Sequence, residues 1–343
     1  MQKENSAPHV ITLGTGGGPK IWTTSDKATP PRCGIATAVV VGDQWYLVDA
    51  GHGTFTQIKR AGLDISKLAG IFITHLHSDH IIDLNSVTLF GMFDFIGELP
   101  SIPIYGPGDR GILPPTSTQA QGVVEPIFPE NPTPGISGLF RSLIHAHATD
   151  LNDRILDALR PSPLDVFMPK DVLIPAETNF HPNLNPSPVS RPWVIHEDSH
   201  VRVSATLVIH PPIAPAFAFR FDTEAGNVTI SGDTRPSDNL VVLAEGTDLL
   251  LHEAIDFDWV DDVYPGHTAL ERASADHHRK SHTSPLEAGE IATRADVRRL
   301  ALHHVVPGNR PRFVFEAAST TFAGDVLVPD DLDVIALSPV HQR

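Results

Sequence analysis

A chain of 343 residues with 41% hydrophobic and 19% charged side chains has the composition of a globular protein with one large core or two joined ones. Disordered, collagen-like and coiled-coil classes are excluded. Lys plus Arg number 25 against 41 Asp plus Glu, a net charge of −16, which disfavours a nucleic-acid partner unless a local basic patch or bound cations intervene. The lone Cys33 removes intramolecular disulfides and thiolate zinc modules, so a metal site must be made from carboxylates and the 19 histidines. No apolar run reaches the length of a membrane span, and Met1 to Val10 lacks the apolar core of a signal peptide. The expected location is the cytoplasm, with a periplasmic or secreted one only if a leader has been removed.

In chain order, His9 to Leu13 reads as a strand ending in the loop Gly14-Thr15-Gly16-Gly17-Gly18-Pro19. Pro19 and Trp22-Thr23-Thr24 do not open an amphipathic helix, so this is a tight loop beneath a site and not a dinucleotide fingerprint. Strands are predicted over Gly34 to Val41 and Trp45 to Val48, then a helix from Phe55 to Ala61 stopped by Gly62, then a buried strand from Gly70 to Thr74. The stretch from Pro107 to His200 holds 15 of the 31 prolines and is expected to be an ordered excursion or cap. Within it Phe140, Ile144, His147, Leu151, Ile155 and Leu159 predict one helix ended by Pro161. Strands follow at Val201 to Ile209, Ala216 to Phe221, Asn227 to Ile230 and Asp248 to Leu251. A helix from Pro285 to Ala295 leads into a strand at Arg299 to Leu302. Two similar halves of mixed sheet with helices outside are the expected plan.

The richest segment for chemistry is Thr74-His75-Leu76-His77-Ser78-Asp79-His80, directly after the apolar Ile71-Phe72-Ile73. In extended backbone His75 and His77 project to one side, and a turn at Ser78 swings Asp79 and His80 to a neighbouring point. Four donors cannot fill two metal shells. His210 at a strand end, Asp233 after the flexible Gly232, and His282 before the last helix are the candidates for the rest. Nitrogen and carboxylate donors suit Zn²⁺ first, with Fe or Mn as alternatives. His145 and His147, two apart on a helix, point to different faces, His277-His278 lies in a polar run expected to be solvated, and His267 is a weaker rival to His282. His304, with His303 beside it, is placed at the pocket lining.

These residues resemble the metallo-β-lactamase superfamily and, within it, the ribonuclease Z-like and arylsulfatase-like branch. The resemblance rests on Leu13-Gly14-Thr15-Gly16-Gly17, Val48-Asp49-Ala50-Gly51, the run His75 to His80, Ser231-Gly232-Asp233-Thr234, Leu251-His252-Glu253-Ala254 and His282-Thr283-Ser284. It implies an α/β, four-layer αββα sandwich over residues 1–343 as one domain, with 107–200 a Pro-rich cap insertion. It also implies two zinc ions per chain: His75, His77 and His210 on one, Asp79, His80 and His282 on the other, and Asp233 between them. Asp49 resembles a residue that supports a ligand. His252 resembles the proton donor to the leaving group, with Glu253 beside it and Asp79 at the metals completing the catalytic set.

The expected activity is metal-dependent hydrolysis of an ester bond by a metal-bound hydroxide. A small-molecule phosphodiester, sulfate ester or lactone is the first expectation, for two reasons. Residues 107–200 carry 6 Lys plus Arg against 11 Asp plus Glu, which is no basic arm for tRNA. The last strand continues His303-His304-Val305-Val306-Pro307-Gly308, where the RNA-processing members resemble H-x-S-x-R-Y, with an Arg and a Tyr suited to an RNA end. The alternatives are a ribonuclease Z-type tRNA 3′-processing endoribonuclease and, from another class, a metal-binding interaction protein without turnover. No membrane partner is expected, and a homodimer is compatible with the resemblance.

Overall fold

In the computed structural model, which describes residues 7–24, 30–95 and 97–337, the N-terminal apolar segments form β1 (His9–Gly14), β2 (Ala36–Val41) and β3 (Gln44–Val48), an antiparallel meander. The polar start Met1 to Ser6 lies outside the described residues. Helix α1 (Thr54–Arg60) then crosses to β4 (Leu68–Phe72), which pairs parallel to β3. The short α2 (Ser78–Ile81) and α3 (Leu84–Gly91) precede β5 (Ile102–Pro107), parallel to β4. Strands buried on both faces read as continuous apolar runs, and Gly70-Ile71-Phe72-Ile73 has that form.

Residues 108–166 carry α4 (Ile136–Ala146), α5 (Ala148–Ala158) and α6 (Pro163–Val166), and the chain returns as β6 (Phe167–Val172) beside β5. The single helix expected from Phe140 to Leu159 is two helices, because the backbone leaves the helical region at His147 (φ −105°, ψ 15°), where the Asn85 amide lies 2.7 Å from the imidazole. Helix α4 is no cap. Its apolar face, Ile136, Phe140 and Ile144, is buried in the core on the outer side of the first sheet. Strand β7 (Trp193–Glu197) joins the second sheet, so only the irregular stretches 108–135 and 173–192 stand outside the layers.

The second half repeats the plan. Strands β8 (Arg202–Leu207), β9 (Phe217–Thr223) and β10 (Gly226–Ile230) form an antiparallel run, and α7 (Asp238–Ala244) crosses to β11 (Leu249–Ile255), parallel to β10. Two helices, α8 (Phe257–Val263) and α9 (Ala269–Ser281), intervene before α10 (Pro285–Arg294). Helix α10 begins at a capping box, Ser284 with Glu287, and has Pro285 in its first turn. Strand β12 (Arg299–Val306) lies parallel to β11, and α11 (Arg312–Glu316), β13 (Asp325–Leu327) and β14 (Val334–Ala336) complete the chain. The sheets run β14-β1-β2-β3-β4-β5-β6 and β13-β12-β11-β10-β9-β8-β7.

Three apolar clusters make the four layers. One fills the space between the sheets, one lies between the first sheet and α1, α3 and α4, and one lies between the second sheet and α7, α10 and α11. The central layer is aromatic: Phe72 stacks on Tyr105 at 5.2 Å and meets Phe219 and Phe221 edge-on at 5.8 and 5.1 Å. The carboxyl ends of β3, β4, β8, β10, β11 and β12 gather at one edge of this sandwich.

A polar clasp ties the sheets at the β7 end. Asp198 accepts hydrogen bonds from the Tyr46 hydroxyl at 2.7 Å and from the backbone N–H groups of His200 and Val201. Partial burial would raise its pKa, but these donors outweigh burial and pull the carboxyl down to about 2. Stability from a depressed carboxylate is present above the unfolded value near 4 and is lost as pH falls through about 2. Asp198→Asn should therefore lower urea stability by about 1 kcal/mol at pH 7, and the gap to wild type should narrow between pH 4 and 2. An equal gap at both pH values would show that the ionised clasp contributes nothing.

Candidate metal centre

The edge where the strands end collects the histidines because each sits just past a strand. Asp49 ends β3 with a left-handed backbone (φ 59°), His75 to His80 follow β4, His210 follows β8 and Asp233 follows β10. Strained backbone at a non-glycine residue marks a position over-determined by its surroundings. His304, in β12, also has a positive φ (50°). Two glycines permit the approach. A methyl on Gly17 would fall on the His304 ring, and Gly232 at φ 58° leaves room for Thr74 and the Phe217 carbonyl.

Hydrogen bonds select which ring nitrogens face inward. His80 Nδ1 is 2.8 Å from Asp49 Oδ2, and His210 Nδ1 is 2.9 Å from the Ser281 carbonyl, so each Nδ1–H donates and each Nε2 is left with its lone pair. Asp49 also accepts from the Thr74 backbone N–H at 2.8 Å and its hydroxyl at 2.9 Å, which fixes the loop that carries the motif. The inward nitrogens then crowd one another. His75 Nε2 and His77 Nδ1 are 3.0 Å apart, His77 Nδ1 and His210 Nε2 3.1 Å, and His80 Nε2 and His304 Nε2 3.2 Å.

Asp233 stands between the two groups. Its Oδ1 lies 3.3 Å from both His80 Nε2 and His304 Nε2, and its Oδ2 lies 3.7 Å from His210 Nε2 and 3.9 Å from His75 Nε2. Among the described residues three groups result, His75, His77 and His210; Asp79, His80, Asp233 and His304; and His210, Asp233 and His282, with donor atoms within 4.8 Å of one another in each. Donors on one tetrahedral zinc at about 2.1 Å stand about 3.4 Å apart, and the spacings here lie around that value, from 3.0 to 3.9 Å. Lone pairs converging at such distances repel unless a proton or a cation lies among them, so the donor set fits divalent metal.

The titration of the site follows from burial and charge. Burial, with His80 and His210 as neighbours, holds His75 well below the ordinary imidazole value, and burial lowers His77 and His210 as well. Burial would also lower His80, but Asp233, Asp49 and Asp79 together push it well above the ordinary value. Asp233 and Asp79 are both held low against burial by the imidazoles around them.

His282 and His304 both stand among the metal-capable groups, in a different grouping from the one expected. His304, expected only to line the pocket, joins Asp79, His80 and Asp233, while His282 groups with His210 and Asp233. His282 Nδ1 is 3.0 Å from Glu253 Oε1, closer than its 4.0 Å to Asp233. Burial would lower the His282 imidazole, yet Glu253 outweighs it and raises its pKa to about 9. His252, expected to be the proton donor, is completely buried, its Nδ1 bonded to the Glu253 carbonyl at 2.7 Å, and burial lowers it to about 4. Glu253, its neighbour on β11, turns its carboxylate to His282 instead; at this point the pairing of β11 with β12 shifts register between His252 and Ala254, and His304 leaves the extended conformation at φ 50°.

A cavity of about 430 Å³ opens on this edge. Its floor includes His77, Asp79, Asp233, His282 and His304, and its wall includes Trp22, Trp259, Tyr264, His277 and His278. The last two were expected to be solvated; they are half-buried on α9, where burial lowers them to about 3 and about 4. The signal that reveals them is the capping box Thr268-x-x-Glu271, which starts a helix just upstream. His145 and His267 are exposed and in none of these groups.

Comparison with known proteins agrees with this geometry. The family profile described as Metallo-beta-lactamase superfamily matches residues 31–113, which hold the His75 to His80 motif. A ribonuclease Z of Mycobacterium bovis (strain BCG / Pasteur 1173P2) is 28% identical over 326 residues, covering 93% of this chain and 97% of its own. Among solved structures, the short form of human tRNase Z superposes with a TM-score of 0.60 at 21% identity, over 96% of this chain and 99% of that one. The metallo-beta-lactamase fold protein YhfI from Bacillus subtilis does so with a TM-score of 0.58 at 18% identity, over 96% and 99%. Together these findings support a metallo-β-lactamase superfamily, ribonuclease Z-like protein and indicate a metal-dependent hydrolase acting on ester bonds.

Proposed function

We propose that the chain hydrolyses phosphodiester bonds at a two-zinc centre, with the 3′ region of a precursor tRNA as substrate, the activity that the relatives' names favour over the small ester expected from composition. The observation that carries it is the carboxylate of Asp233, with one oxygen toward each donor cluster at the floor of an open cavity. His75, His77 and His210 would hold one metal and Asp79, His80 and His304 the other, with Asp233 shared. Two divalent cations there supply Lewis acidity and make water nucleophilic near neutral pH.

The side chains around them have separate tasks. Asp49 orients His80 and thereby one cluster. Glu253 keeps His282 protonated beside Asp233, so His282 donates its proton to the oxygen that departs as the phosphorus–oxygen bond breaks. Loops 108–135 and 173–192 serve as the cap: Arg110 bonds to the Pro212 carbonyl beside His210, and Arg272 of α9 bonds to Gln119. A second reading, hydrolysis of a small phosphodiester, sulfate ester or lactone, is favoured by the ring-walled cavity of about 430 Å³, a size usual for small-molecule sites.

The deciding test offers zinc-loaded protein a precursor tRNA, bis(4-nitrophenyl) phosphate, an aryl sulfate and a lactone. Cleavage of both the tRNA and the phosphodiester is expected; turnover of small esters alone would select the second reading, and no turnover at all would sink both. His304→Ala should lose about one metal equivalent by elemental analysis. His282→Ala should keep both while the rate falls about 10²–10⁴-fold; loss of metal from His282→Ala alone would reverse the two assignments.

The pH profile gives an independent check of the Glu253 role. Activity that needs protonated His282 should decline as pH rises through about 9. In Glu253→Gln the partner that raises the imidazole is gone, so the decline should begin at lower pH. A basic limb that does not move would remove His282 from the proton-donor role.

A further inference from the structure

We infer that the cavity wall opposite the imidazole and carboxylate floor is a seat for a planar aromatic group attached to the scissile ester, a specificity element that rests on the hydrolase reading above. The wall is a continuous series of rings. Trp22 meets Trp259 edge-on at 5.4 Å, Trp259 meets Tyr264 edge-on at 6.0 Å, and His278 lies 5.5 Å from Tyr264 and 5.8 Å from His282. The series therefore runs from Trp22 to the imidazole assigned to the leaving group.

Its backing is rigid. The Trp22 indole N–H donates to the Gly17 carbonyl at 2.7 Å, and Gly308 packs against its ring so closely that a side chain there would collide. Behind the rings lie Ile255, Val260 and Val306, so the wall rests on the core while Trp259, Tyr264 and His278 keep part of their surface in the cavity. In a chain of charge −16, the wall carries no carboxylate among the described residues: the acidic residues lining the cavity there are Asp79 and Asp233, both in the floor. Among the described residues the wall's cation is Lys20, whose Nζ lies 4.9 Å from the Trp22 ring centre. His278 Nδ1 is buried without a hydrogen-bond partner among the described residues, an unsatisfied polar atom in an otherwise apolar wall.

This combination matches an anionic ester bearing a flat ring. Lys20 and the cations the floor would hold take the charge, and the π-faces take the ring, since stacking tolerates any planar group whereas a non-planar ring of equal size gains only its burial. A nucleobase and a synthetic or natural aryl group share this chemistry.

Calorimetry on zinc-loaded protein tests it with three probes of similar charge: naphthylmethylphosphonate, cyclohexylmethylphosphonate and thymidine 5′-monophosphate. The naphthyl or thymidine probe should bind about tenfold more tightly than the cyclohexyl one, and the tighter of the two identifies aryl ester or nucleotide as the source. Trp259→Ala and, separately, Tyr264→Ala should bring the ratio close to one with zinc content and circular dichroism unchanged; two independent variants keep the test sound if one fails to fold. Equal binding of all three probes by the wild type, or a ratio unmoved in both variants, would overturn the ring seat. Preference for flat probes in a protein that turns over no ester would leave the seat standing and remove the hydrolase reading, while turnover without preference would do the reverse.

Discussion

Asp233 sits where two groups of imidazoles would otherwise repel, and most features of the active edge follow from that position. Its oxygens are 3.3 Å from His80 and His304 on one side and 3.7 to 3.9 Å from His210 and His75 on the other. One buried carboxylate cannot compensate so many inward nitrogens if they are protonated, and it is too negative to stay buried if they are all neutral. Divalent cations meet both demands at once. The depressed values of His75 and His210 beside a raised His80 express the same conflict in protons.

The surrounding structure serves to hold these donors in place. Asp49 fixes His80 and the Thr74 backbone together, the Ser281 carbonyl fixes His210, and Glu253 fixes His282. Asp49 directly follows β3, Ser281 closes α9 and Glu253 lies within β11, and each is buried. Rigid strands from both sheets therefore aim the site, and the loops need only carry the residues across the last few ångströms. The ring wall extends the same logic to specificity, because it is built on α8 and α9 and backed by the core.

Much of the fold was readable because apolar periodicity and turn chemistry agree along the strands. The predicted strands at His9 to Leu13, Val201 to Ile209 and Asn227 to Ile230 correspond to β1, β8 and β10, with ends displaced by a residue or more. The weakest reading was 107–200, where prolines suggested an ordered excursion or cap. Pro169 lies within the edge strand β6, a position that proline tolerates, and Ile136, Phe140 and Ile144 pack against the sheet. Helix α9 was hidden because the run Ser274 to Lys280 is polar overall, although its capping box was visible.

The donors themselves were legible at the level of residue type and local spacing: His75, His77, Asp79 and His80 share one short motif, and His210, Asp233 and His282 sit near strand ends or helix starts. The grouping of His304 with Asp79 and His80, and the burial of His252, were not. Both depend on which face of β11 and β12 meets the edge, and that is set by the register of those strands against β10 and by the packing of the helices behind them. Local sequence specifies which groups are available within a few residues. Which of two neighbouring imidazoles turns inward is a property of strand pairing across the whole sheet, where contacts from segments more than two hundred residues apart, such as His80 and His304, first come together.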